Sequence, residues 1–264
     1  MSKTHNSESG GFFHRHTTSI FSFLINKLEY PMTLSQCGGA ILMYHVVDEP
    51  YPDGSIFRKE TFRQHLDYLT NRAEIVDIPQ IYHTDCQPPI DQIALTFDGG
   101  YSDFYHTILP LLREYEVPAT VFIPSERIGM NNEKNDEAAS WVNWFDFMTE
   151  EQIKELVTEP LITIGNKTLT HEYTLPELSK EECEWEVVEG KRQLEERFDI
   201  DIDRFCFPCG DFDKYSLEVV KEHHDYAVTT QPNFVNEDSD PLRLPRFTAD
   251  WTDVATLNNR SEER

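Results

Sequence analysis

The chain has 264 residues, 39% of them apolar, which is enough for one large domain with its own core. Its 48 acidic and 23 basic residues give a formal net charge of -25, a field that repels phosphate backbones and argues against a nucleic-acid partner. The acids are spread along the sequence, as for an acidic surface serving solubility or a habitat of concentrated salt.

Five cysteines, Cys37, Cys86, Cys183, Cys206 and Cys209, lie at irregular spacing and do not read as a secreted disulfide framework. No segment reaches the roughly 20 apolar residues of a membrane span, and the N-terminal IFSFLI is too short for a signal peptide. These features predict a cytoplasmic protein without an integral membrane segment.

Residues 1–38 read as a partly disordered N-terminal extension, with an amphipathic stretch around 18–28. The domain itself is expected over 39–252, with a tail at 253–264. AILMYHVV (40–47) is a predicted strand, and ETFRQHLDYLTNR (60–72) sets Phe62, Leu66 and Leu69 at helical spacing. EIVDI (74–78) and IALTF (93–97) read as strands, followed by a helix over SDFYHTILPLLREYEV and a strand at ATVFIP (119–124). A polar stretch over 127–139 reads as a surface insertion. Thr149 with Gln152, and Ser179 with Glu182, form capping-box patterns that open two helices, the second over 180–198. LITIGN (161–166), RFCFPC (204–209) and YAVTTQ (226–231) complete a strand–helix alternation that predicts a parallel sheet closed, or nearly closed, into a barrel.

Reactive groups in such barrels gather at the carboxyl ends of the strands. His45, Asp98, Lys167, His171 and the turn Pro208-Cys209-Gly210 all fall there. Asp98 ends an apolar strand and precedes two glycines, so it serves either as a cap for the next helix or as a base or ligand in the barrel mouth. His45 is either a structural histidine or a general acid. Lys167 and His171, four apart, would share one face of a helical turn. The CFPC pair has the spacing of a redox dithiol, although its first thiol falls inside the strand.

LMYHVV, LTFDGGYSDFYHTILPLLREYEVPATVFI, ITIGNKTLTHEYTL, FCFPCGDFD and LPRFTAD, in that order, resemble the motifs of the polysaccharide deacetylases. These are carbohydrate esterases with a NodB-like domain, and the match is to their circularly permuted branch. The resemblance covers about residues 40–250. It implies a distorted (β/α)7 barrel that removes N-acetyl groups from a carbohydrate, using water on a zinc-type ion held by one Asp and two His. It further implies that Asp98 is the base, His45 the acid, His171 a metal ligand and the Cys209 amide an oxyanion donor. Tyr101, Pro208 and Gly210 join Cys209 as expected substrate-binding residues.

Two positions depart from the family pattern. Gly99 stands where the ligand acid is expected, and Lys167 where the first ligand histidine is expected. One ligand of three does not hold zinc tightly. The alternatives are a deacetylase acting without metal or with rearranged ligands, with Lys167 polarising the carbonyl while Asp98 activates water, or an inactive binder of a saccharide or partner. Restoring Asp at 99 and His at 167 is expected to rebuild the metal site.

Overall fold

The computed structural model describes residues 39–51, 54–82, 92–131 and 144–250. The readings made for 1–38, for 132–139 of the 127–139 insertion and for the tail lie outside these.

Strands β1 (Ala40–Tyr44), β3 (Gln92–Asp98), β4 (Ala119–Ile123) and β5 (Ile162–Asn166) form the centre of one sheet. Their residues are buried nearly throughout, as in parallel sheets covered on both faces. With β6 (Arg204–Cys206), β7 (Tyr226–Val228) and β8 (Phe247–Thr248), the strand order is β7-β6-β5-β4-β3-β1-β8. The two-residue β2 (Glu74–Ile75) pairs with β3 off this path, and every ladder is parallel.

The segment after β7 curls the sheet towards closure. Leu244 donates its N–H to the Ala227 carbonyl at 2.8 Å, while Ala249 donates to Met43 of β1 at 2.9 Å. One stretch of chain thus ties the last long strand to the first. The result is a curled α/β half-barrel with helices around it, the distorted barrel expected from the sequence.

The helices are α1 (Lys59–Thr70), α2 (Ile78–Tyr82), α3 (Leu109–Tyr115), α4 (Glu150–Val157), α5 (Lys180–Phe198) and α6 (Lys214–His223). In α1 the predicted stripe Phe62, Leu66 and Leu69 is buried, and Phe62 meets Phe97 edge-on at 5.7 Å. Each such buried side chain contributes about 2–3 kcal/mol of transfer free energy. Both expected capping boxes form, opening α4 and α5.

Several boundaries differ from expectation. The predicted 74–78 strand stops at Ile75, because the Asp77 side chain accepts the Ile78 N–H at 2.9 Å and starts α2. The helix after Asp98 opens as a π-turn over Phe104–Ile108 before α3. Pro110 lacks the N–H that an α-ladder needs there, and the wider turn accommodates it. The predicted strand 204–209 ends at Cys206, since Pro208–Gly210 form a 3-10 turn with Cys209 at φ 55.

Candidate active site

A cavity of about 170 Å³ opens at the carboxyl ends of the strands. His45, Asp98, Tyr101, Lys167, His171, Pro208 and Cys209 all line it, as the sequence predicts. Gly210 does not. It is the buried last residue of that turn, its N–H donating to the Phe207 carbonyl at 2.9 Å.

Asp98 does not cap the following helix. It is the last residue of β3 and turns inward, 2% exposed, into a cluster of charges. Arg246 grips it with both arms, Nη1 to Oδ1 at 2.6 Å and Nη2 to Oδ2 at 2.8 Å. Lys167 Nζ donates to Oδ2 at 2.8 Å. The Cys206 thiol donates to the same oxygen at 3.2 Å and receives Lys167 and Arg246, each at 3.2 Å. Arg246 is itself fixed by the Thr229 carbonyl at 2.8 Å and the Thr96 hydroxyl at 3.0 Å.

Burial alone would raise the Asp98 carboxyl, but the charges of Arg246 and Lys167 outweigh it and hold the group well below the ordinary carboxylate range. Burial would lower Lys167, yet the Asp98 carboxylate keeps it above its ordinary value, so the ammonium is charged. Burial pushes the Cys206 thiol up, and it stays protonated.

Lys167 and His171 do not share a helical turn. The chain between them is irregular, with Thr168 at φ 64 and His171 at φ 54. They meet only because the loop folds both back to the pocket. Burial, aided by the Lys167 charge, pushes the His171 imidazole well below its ordinary value and leaves it neutral. Its Nδ1 is buried without a hydrogen-bond partner.

His45 follows β1, and its Nδ1 donates to Asp250 Oδ2 at 2.7 Å. The Asp250 side chain is wholly buried behind the ring. Asp250, Arg246 and Cys206 are the members of the site that sequence reasoning missed. Arg246 and Asp250 both sit in LPRFTAD, where an arginine and an acid interrupt an otherwise apolar closing segment.

Cys206 and Cys209 are both free, the first buried against Asp98 and Lys167 and the second exposed at the pocket wall. Burial pushes the Cys209 thiol up as well.

Gly99 holds φ 109, and a Cβ there would lie 2.3 Å from the Tyr101 ring. Tyr101 is packed against Phe145 and Phe147 at ring separations of 5.3 and 5.0 Å, so it has little room to give way. An acid at 99 is therefore strained, which corrects the expectation that two substitutions suffice to rebuild a metal site. Among the described residues no group of three or more His, Cys, Asp or Glu side chains is arranged to hold a metal ion.

A polar pocket at the carboxyl end of a curled parallel sheet places this chain among the barrel-type α/β proteins. Residues 86–228, more than half of the sequence, match the family model described as polysaccharide deacetylase. The chain belongs to the polysaccharide deacetylase family. Bacillus subtilis YxkH, named for the same family, is 26% identical over 213 residues, covering 78% of this chain and 69% of its own. The structure of IcaB from Ammonifex degensii superposes with a TM-score of 0.69 at 20% identity, covering 86% of this chain and 96% of that one. The Streptococcus pyogenes deacetylase PplD, solved in complex with acetate, gives 0.66 at 20% identity, covering 80% and 92%. These structural likenesses speak for the fold.

Proposed function

We propose that this chain binds a carbohydrate in the deacetylase cleft and lacks the metal-assisted hydrolysis of its family. The observation that carries this reading is the ion cluster at the pocket floor, where Asp98 is saturated by Arg246, Lys167 and Cys206. A general base works best with a pKa near the operating pH and a free lone pair facing its water. Asp98 is held far below that range, and both of its oxygens are engaged. The zinc-type ion of the family does not fit the side chains present. Gly99 offers no donor, the Lys167 ammonium would repel a cation, and the imidazole of His171 stands without the other two ligands. We read the metal site as degenerate. We also read the chain as a member of the permuted branch, a reading supported by the entry of His45 into the pocket from β1.

The test combines elemental analysis of purified protein with acetate release from N-acetylated oligosaccharides. The expected result is no stoichiometric metal and no acetate, with oligosaccharide binding retained. One tightly held ion per chain, or sustained turnover, overturns the reading.

The His45–Asp250 pair favours a second reading, deacetylation without metal. Lys167 and the Cys209 amide would polarise the acyl carbonyl, water would add to it while passing its proton to the Nε2 of His45, and His45 would return that proton to the amine as the C–N bond breaks and acetate is released. This reading requires acetate release that disappears in His45→Ala.

A further inference from the structure

The rim of the pocket carries a ring that the cluster at its floor does not involve. Tyr173 is 57% exposed, and of the exposed large side chains Ile56, Met130, Tyr173 and Trp185 it is the one that lines the cavity. A single exposed ring is ordinary on a protein surface, but one held at the mouth of a polar pocket is placed to meet a ligand.

The chain that presents Tyr173 is built rigidly. Glu186 of α5 accepts the Leu169 N–H at 3.1 Å, the Thr170 N–H at 2.9 Å and the Thr170 hydroxyl at 2.7 Å. On the other side, Arg127 Nε donates to the Thr170 carbonyl at 2.8 Å. Directly after the ring, Thr174 and Glu177 close a capping box, with contacts of 3.0 and 2.9 Å. Gly190 lets α5 press onto this loop, since a Cβ there would lie 2.6 Å from the Thr168 carbonyl carbon. Thr168 and His171 hold left-handed backbone, a conformation that costs about 1 kcal/mol or more per residue unless the surroundings enforce it. An exposed ring on so fixed a support loses little freedom when a ligand covers it.

Resting on the carbohydrate-binding reading above, we propose that Tyr173 is a stacking platform for a pyranose unit bound beside the pocket. The C–H groups on one face of a pyranose meet the negative face of the phenol ring. Thr174, Glu172 and Glu177, which line the same rim, offer acceptors to the hydroxyls of that sugar. Glu177 and Glu172, the latter shared with Arg127 Nη2 at 3.3 Å, in a chain of net charge -25, favour a neutral or amino sugar over a uronate. The platform sets which saccharide is held and in what register over the pocket.

The experiment is calorimetric titration with an N-acetylglucosamine tetramer, its de-N-acetylated form and an oligouronate of equal length. Tyr173→Ala is expected to weaken binding of the preferred tetramer about five- to tenfold, and Tyr173→Phe to keep it within about twofold, because the ring and not the hydroxyl does the stacking. Circular dichroism should show both variants folded, since the side chain lies at the surface. If the wild-type chain binds none of the three, the cleft reading fails and the platform falls with it. If the wild type binds and Tyr173→Ala binds equally well, the platform alone is wrong. Tightest binding of the oligouronate overturns the assignment of sugar class.

Discussion

Lys167 Nζ lies 2.8 Å from Asp98 Oδ2, with the two side chains only 4% and 2% exposed. In a buried site a charge without its partner is expensive, and Asp98 serves two cations at once. Asp98→Asn should therefore cost more stability than Lys167→Met, which leaves Asp98 still bound to Arg246. Losses of roughly 3–5 kcal/mol for the first and less for the second are expected, read from urea unfolding midpoints. Equal stability of Lys167→Met and the wild type would show that the ammonium is not held by the acid.

Much of this site was legible in the sequence because strand ends converge. A parallel barrel brings the ends of β1, β3, β5 and β6 to one mouth, so His45, Asp98, Lys167 and Cys209 meet whatever the loop details. Arg246 escaped because it lies 148 positions from Asp98, in a segment whose only regular structure is the two-residue β8. Its role depends on how far the sheet curls, which periodicity does not encode. Cys206 reads only as a strand residue, because the CFPC spacing does not say which face of β6 its thiol takes. The α1 stripe was readable for the opposite reason, since its packing follows from local spacing alone.

The family's metal should be hard to restore. Gly99→Asp must hold φ near 109 and displace Tyr101 from its aromatic neighbours. The variant Gly99→Asp/Lys167→His is expected to stay free of stoichiometric zinc in a chelator-competition titration. Adding Tyr101→Ala opens the space but removes a buried ring, at a cost of about 3–5 kcal/mol. Zinc held tightly by the double variant would mean that the Tyr101 ring moves more freely than its packing indicates.

The thiols of CFPC should behave separately. Cys209 is exposed at the pocket wall, while Cys206 is enclosed by Asp98, Lys167 and Arg246. Iodoacetamide applied to native protein is expected to modify Cys209 well before Cys206, as read by peptide mapping. Burial raises both thiols, so the Cys209 reaction should quicken as pH rises through the alkaline range. Early loss of Cys206, or a disulfide between the two, would bring back the redox reading.

Asp103 gives the fold a pH dependence of definite sign. Its Oδ2 accepts the Val47 N–H at 2.8 Å, but its Oδ1 is buried without a hydrogen-bond partner. Burial pushes its pKa up from 3.8 to about 7, with Glu49 adding to the rise. Between those two values the folded chain holds a proton that the unfolded chain has released, so this group's contribution to stability falls as pH rises through that window. His224 works in the opposite direction. Burial lowers it from 6.5 to about 3, and its contribution is lost as pH falls through that range. The difference between wild type and Asp103→Asn isolates the carboxyl. The variant is expected to gain stability relative to wild type on going from about pH 4 to about pH 8, by a few kcal/mol at most. A difference independent of pH would mean that Asp103 is ionised throughout, and that its buried oxygen is better solvated than its surroundings suggest.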